Sequence, residues 1–217
     1  MEILFEDEYL IVCIKPVGIL SQKDASGSKN MVDELNLYLH DKNEAGNVYV
    51  VHRLDKNVSG VMVFAKSSKV AAELSKIIGE NKFNKEYMAV IKGTPNDKEG
   101  VLEDLLFKDS SKNKTYVVKR ERKGVKKASL EYKVVDTMNV ECDIISKVWI
   151  KLHTGRTHQI RVQFASRKMP LLGDGKYGSR ENKCDVALWS YRISFIHPVT
   201  REKVDCYKNP PDKYPWW

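Results

Sequence analysis

No apolar run in this sequence approaches the roughly 18 residues that a membrane-spanning helix needs. The N-terminus, MEILFEDEYLIVCIKP, is acidic where a secretory signal is basic, and it offers no small-residue cleavage site. A soluble, cytosolic protein is expected. Cysteine is scarce: Cys13, Cys142, Cys184 and Cys206 are scattered without a CxxC pair. Zinc sites want clustered ligands, and disulfide frameworks belong to short secreted chains. Free thiols, mostly packed in the core, are therefore expected. There is no GxSxG elbow, which speaks against a Ser-His-Asp triad on Ser59. His52, His153 and His158 show no His-x3-His spacing with a carboxylate nearby, so no metal site is expected. Internal repeats, low-complexity tracts and long linkers are missing too, which favours a single domain over residues 1–217.

What is present is apolar content and positive charge. At 217 residues and 42% hydrophobic, the chain can bury a full core. Lys and Arg number 37 against 29 Asp and Glu, a net charge of +8. Much of that excess is local: residues 112–127 (KNKTYVVKRERKGVKK) hold eight basic residues and one acidic. Such a stretch is either a solvated hairpin or loop, or an arm that grips phosphates. Charge by itself does not separate RNA, DNA and acidic lipid.

The pattern of residues predicts short strands mixed with a few helices. Residues 2–14 read as two strands around EDE, and Lys15-Pro-Val-Gly18 breaks the pattern. A polar loop follows over 26–30. Met31, Leu35 and Leu39 recur at helical spacing, and 58–65 is a strand. Ser67 or Ser68 caps a helix to about Ile78, which Gly79 ends. Strands are expected over 85–92, 130–135, 148–152 and 187–195, and a helix over 157–167. Without regular βαβ alternation, the fold class is α+β. The last residues, 214–217 (YPWW), read as a tail docked on the core.

Three segments mix polar groups with core-like neighbours: His52-Arg-Leu-Asp55 with Ser59-Gly60, Asn84-Lys-Glu-Tyr87, and HTGRTHQIR over 153–161. Gly155-Arg156-Thr157 before a helix exposes backbone N–H groups suited to an anion. His158 and Arg161, three apart, are neighbours on one helix face. Ile160 and Phe164 anchor that helix, so Arg161 lies near the buried edge and needs a carboxylate. Asp55 is the natural candidate, either as a stabilising ion pair or as part of a site. Tyr87 reads as core, or as a platform that stacks on a base.

Taken together, the segments resemble the RluA-type family of RNA pseudouridine synthases. HRLDKNVSGVMVFAK is similar to that family's HRLD-x-x-TSG segment, KEYMAVIKG to its Lys-x-Tyr strand, and HTGRTHQIRVQ to its TGRTHQIR helix. PLLGDGKYG resembles its Gly-Asp-x-x-Tyr-Gly loop, and Lys15-Pro-Val-Gly18 its N-terminal Lys-Pro-x-Gly. The matches run in family order from about residue 3 to residue 205. Val58, Gln163 and Leu188-Trp-Ser190 depart from the family pattern, and none of them touches Asp55, Tyr87 or Arg161. The chain also begins at the catalytic-domain strand, without the S4-like module of many relatives, so RNA grip is expected from the catalytic domain itself.

The resemblance implies a mixed, mostly antiparallel twisted sheet flanked by helices and loops, with a central catalytic cleft. It implies isomerisation of uridine in rRNA or tRNA with no cofactor and no metal. Asp55 would be the catalytic carboxylate, attacking the ribose C1′ or taking the C2′ proton. Arg161 would supply the cation that keeps it charged, since burial disfavours a carboxylate and a nearby cation favours it. Tyr87 would stack on the uracil, and Arg53 would prop the site the extruded base leaves. His52, Lys85, Arg156, His158, Lys126 and Lys127 would contact the RNA substrate. Two other readings stay open: a non-catalytic RNA-binding or RNA-folding module, and an N-glycoside hydrolase in which Asp174 is the second carboxylate. A monomer without an obligate protein partner is expected.

Overall fold

Strands dominate the computed structural model, which describes residues 1–25, 27–140 and 143–217. Ser26, at the head of the expected polar loop, and Cys142, one of the expected thiols, lie outside the described residues. By contacts the chain divides into two units, Met1–Lys85 with Trp189–Asn209, and Glu86–Leu188 with Pro210–Trp217. Among the described residues there are three α-helices and mostly antiparallel strands, so the class is α+β, as the pattern predicted.

The first unit is built on β2 (Leu10–Lys15) and β4 (Ser59–Ala65). They pair antiparallel, with β1 (Ile3–Glu6) on the far side of β2. The other side of β4 takes β3 (Tyr49–Val50) antiparallel and β10 (Leu188–Ile196) parallel, and β11 (Lys203–Tyr207) closes on β10. Almost every residue of β2 and β4 is buried, which explains their unbroken apolar runs. Leu10, Val12, Val61, Val63 and Ala65 form one face of the core with Phe83, Ile193 and Phe195. Helix α2 (Ser68–Gly79) covers that face with Val70 and Leu74. Each such buried side chain stabilises the fold by about 1.5–3 kcal/mol. Helix α1 (Met31–Asp41) starts where the Asn30 side chain accepts the Asp33 N–H at 3.1 Å, and it buries Met31, Leu35 and Leu39.

Ser67 caps α2, accepting the Val70 N–H at 3.3 Å. Gly79, expected to end this helix, is instead its last helical residue. The left-handed exit falls to Asn81 at φ 56°, a conformation asparagine tolerates. Gly60 is glycine for a stricter reason. Its φ is +121°, and a Cβ there would lie 2.3 Å from the Ser190 carbonyl oxygen on the paired strand.

The second unit is an antiparallel ladder in the order β5 (Asn84–Lys92), β9 (Asp143–Leu152), β8 (Val125–Val140), β6 (Glu99–Asp109), β7 (Lys114–Val118). The strands predicted over 130–135 and 148–152 are the cores of the longer β8 and β9. Strands β3, β6, β7 and β11 were not anticipated, because their charged, solvent-facing positions hide the alternation. The basic stretch 112–127 is part hairpin, part loop. It is β7, a six-residue crossing and the start of β8, on opposite edges of β6. Helix α3 (Gln159–Ser166) is shorter than the predicted 157–167 and is buried from Gln159 to Phe164. Phe164 meets Tyr132 edge-on at 5.8 Å, and Val162 joins Leu106 and Ala128. The C-terminal tail docks as expected: Trp216 and Trp217 pack on Val90, Ile145, Leu172 and Ala187. Trp217 Nε1 also donates to Asp136 Oδ2 at 2.5 Å.

Candidate active site

In the first unit, the candidate carboxylate Asp55 sits in a turn closed by the Val58 N–H on the Asp55 carbonyl at 3.0 Å. The turn is pinned from outside by the chain that follows β2. Ser21 Oγ accepts the Leu54 N–H at 3.0 Å and donates to the Leu54 carbonyl at 2.9 Å. The Gly18 N–H reaches the Lys56 carbonyl at 2.8 Å. Lys15, wholly buried, sends its ammonium to the carbonyls of Pro16 at 2.8 Å and Lys56 at 3.3 Å. Burial pushes the Lys15 pKa down to about 8, and the nearby Asp55 carboxylate acts against that. The Lys-Pro-Val-Gly and His-Arg-Leu-Asp segments are thus one construction, with a buried cation beneath a half-buried carboxylate.

His52 faces away from this chemistry. Its Nε2 accepts the Val63 N–H at 3.2 Å, so the proton rides on Nδ1, which is buried without a partner among the described residues. Burial, and behind it the Lys85 charge, holds the His52 pKa well below the usual histidine value. It is neutral, and its ring lies 5.6 Å from Phe83. Lys85 lies 5.4 Å over that same Phe83 ring, and burial lowers its pKa. Arg53 is exposed to solvent.

In the second unit, Tyr87 lies on β5 and is 6% exposed. Arg161 lies on α3, nearly buried, as its place beside Ile160 predicted. Its guanidinium is held by Asp174: Nε donates to Oδ2 at 2.7 Å and Nη2 to Oδ1 at 2.8 Å. Two parallel bonds fix the plane of the guanidinium as well as its position. Asp174 is itself 1% exposed and follows Gly173. Gly173 has φ +72°, and a Cβ there would lie 2.2 Å from the Asp185 carbonyl oxygen. The Arg161 guanidinium carbon lies 5.2 Å from the centre of the Tyr177 ring, and His158 Nδ1 is 2.9 Å from the Tyr177 hydroxyl.

The turn ahead of α3 is organised by Gln159, whose Oε1 accepts the Arg156 N–H at 3.0 Å and the Thr154 hydroxyl at 2.8 Å. Its Nε2 donates to the Ser129 carbonyl at 3.0 Å. This clamp, with His158 left-handed at φ 53°, delays the helix start to Gln159. It also takes the Arg156 N–H that the sequence had offered to an anion. Arg156 Nε donates to the Lys127 carbonyl at 2.9 Å. Lys126 and Lys127 are both exposed but adjacent on β8, so they point to opposite faces of the ladder.

Asp55, Arg53, His52 and Lys85 therefore belong to the first unit, and Tyr87, Arg156, His158, Arg161, Lys126 and Lys127 to the second. Sequence reasoning had quoted Lys15 and Tyr177 only as parts of motifs, had weighed Asp174 as the second carboxylate of a hydrolase rather than as the partner of Arg161, and had passed over Gln159. A signal existed for Lys15, a lysine ending an otherwise apolar strand, and for Asp174, a lone acid between two glycines.

The chain is also similar to known proteins. Two human proteins, RNA Pseudouridylate Synthase Domain Containing 4 and Domain Containing 1, share the fold at 21% identity. Their TM-scores are 0.79 and 0.77, each covers 97% of this chain, and this chain covers 89% and 83% of theirs. The fold is that of a pseudouridine synthase catalytic domain. The RNA pseudouridylate synthase family model matches residues 9–166. The RNA pseudouridine synthase YhcT of Bacillus subtilis is 32% identical over 206 residues, 94% of this chain and 67% of that protein. Ribosomal large subunit pseudouridine synthase D of Zymomonas mobilis is 30% identical over 224 residues, 94% of this chain and 68% of that protein. tRNA pseudouridine synthase C of Vibrio parahaemolyticus is 29% identical over 224 residues, 94% of this chain and 88% of that protein. The chain belongs to the RNA pseudouridine synthase family, in its RluA-type branch. Its activity class is the isomerisation of uridine to pseudouridine in RNA.

Proposed function

We propose that this enzyme acts on one or a few uridines of ribosomal or transfer RNA, with Asp55 as the reacting carboxylate. The relatives named above act on both kinds of RNA. The reaction detaches uracil from ribose at N1, turns the base and rejoins it through C5. Asp55 either attacks the ribose C1′ or takes the C2′ proton. The observation that carries this reading is the placement of Asp55: a half-buried carboxylate, on a turn tied down by backbone bonds, beside the buried Lys15 ammonium. Such a group is fixed and partly shielded from water, which is what either step at the sugar requires.

The target uridine leaves its helix to react, at a cost of a few kcal/mol. Tyr87 stacks on the uracil, a contact worth about 1–3 kcal/mol per base. Arg161, its plane set by Asp174, provides the positive charge for the reacting group. Arg53, exposed next to the Asp55 turn, props the vacated place in the RNA. The basic residues of 112–127, nearly all solvent-exposed, hold the RNA backbone. The enzyme works as a cytoplasmic monomer.

Pseudouridine mapping of total RNA, with and without the gene and with rescue by wild type or Asp55→Asn, tests the proposal. One or a few sites should vanish and return only with wild type. Full rescue by Asp55→Asn would remove Asp55 from the chemistry and leave a non-catalytic RNA-binding role. Release of free uracil would point to glycoside hydrolysis instead.

A further inference from the structure

The basic segment and Arg161 are joined in the second unit through one side chain, Tyr177. Its hydroxyl accepts the backbone N–H of Thr115, on β7, at 2.9 Å, and is 2.9 Å from His158 Nδ1. That N–H is therefore used on Tyr177 rather than on the β6 ladder. The Tyr177 ring lies 5.2 Å from the Arg161 guanidinium carbon and 5.2 Å from the Lys114 ammonium. It packs beside Leu106, Ala128 and Val162, so it stands on the same apolar face as α3. The neighbouring Lys176 ammonium donates to the Asn113 carbonyl at 3.0 Å. Three contacts thus tie the start of β7 to the loop that carries Asp174, the carboxylate on Arg161. Burial raises the Tyr177 pKa, which keeps the hydroxyl protonated and able to both accept and donate.

We propose that Tyr177 is a positioning residue that couples the basic strand β7 to Arg161, so that RNA backbone bound along residues 112–120 sets the guanidinium for the reaction. This rests on the reading of Arg161 as a site residue and of the basic segment as the RNA grip. Asp174 fixes the plane of the guanidinium, and the Tyr177 ring fixes the face it presents. Lys114 makes the ring responsive: a phosphate that draws its ammonium away removes one of the two cations from that ring. A shift of β7 also moves the hydroxyl that Thr115 holds. The path is one hydrogen bond and one ring contact long, and every member is named.

The test uses a uridine-free RNA hairpin, which no pseudouridine synthase can isomerise. The hairpin is titrated into the full-length 15N-labelled protein while the Arg161 Nε–H signal, assigned through Arg161→Lys, is followed. In wild type the signal should shift on saturation. In Tyr177→Phe, which keeps the ring over Arg161 and Lys114 but lacks the hydroxyl, the shift should fall by at least half. Thr115→Pro removes the same bond from the other side, at a strand-edge N–H that the ladder does not use, and should reduce it likewise. An unmoved Arg161 signal in wild type, or an equal shift in either variant, overturns the coupling. Because the probe cannot react, that result is separate from a failure of the pseudouridine mapping, which would strike the catalytic reading instead.

Discussion

The two candidate charges are held in opposite ways. Asp55 rides on a turn fixed mainly by backbone carbonyls and amides, with the Ser21 hydroxyl and Lys15 ammonium as its two side-chain supports. Arg161 is held by side chains, a bidentate Asp174 and the Tyr177 ring. Both arrangements hold a side chain in place, but they fail differently. A backbone-pinned turn survives the loss of a neighbouring side chain at modest cost, because its amides are still bonded. Removing the carboxylate from a buried arginine takes away two charge-assisted bonds at once.

The largest effect expected is catalytic. Asp55→Asn should lower the single-turnover rate by at least about 10²–10⁴-fold, the usual range for removing a proton-transferring group. Its melting temperature should fall less than that of Asp174→Asn, because the turn keeps its backbone bonds and Lys15, already pushed down to about 8, can lose its proton; a larger fall would refute the backbone-pinned description. Next comes Asp174→Asn, which leaves the Arg161 charge buried beside a neutral amide and should cost about 3–5 kcal/mol in denaturant unfolding. If it costs less than Ser21→Ala, the contrast between the two sides is wrong. Ser21→Ala removes one hydroxyl serving both polar groups of Leu54 and should cost about 1–3 kcal/mol, with a smaller loss of activity than Asp55→Asn.

The smallest effect is a pH dependence at Glu6, on β1. Burial raises the Glu6 pKa, but the ammoniums of Lys66 and Lys42 and the Tyr38 hydroxyl outweigh it and hold the carboxyl at about 2. A depressed carboxyl stabilises the fold fully above its unfolded value near 4.5, and that share is lost as pH falls toward 2. Wild type should therefore lose stability between those values faster than Glu6→Gln in acid titrations followed by circular dichroism. Parallel curves would show that Glu6 contributes nothing.

Motif order made the family and the main chemistry legible in the sequence. HRLD followed by Ser-Gly and an apolar run placed Asp55 at a strand start, and the structure gives Gly60 its reason, the approach of Ser190. Burial of Arg161 was legible from its neighbour Ile160. Less legible was the second unit's ladder, where charged pairs interrupt the apolar residues of β6 and β7 sits inside the basic stretch, so neither shows a clean alternation. The Gln159 clamp was hidden because its bonds go to residues outside its helix.

By itself the sequence determined the α+β class, the buried strands β2 and β4, the cap of α2 and the residues able to do chemistry, because these follow from local periodicity and side-chain chemistry. Only the tertiary structure decided which groups meet. It set Lys15 beneath Asp55, turned His52 inward to Val63 and gave Arg161 the carboxylate of Asp174. It also split the basic stretch across the two edges of β6. Those pairings join residues far apart in the chain, and chain closure and packing, which leave no periodic trace in a sequence, select them.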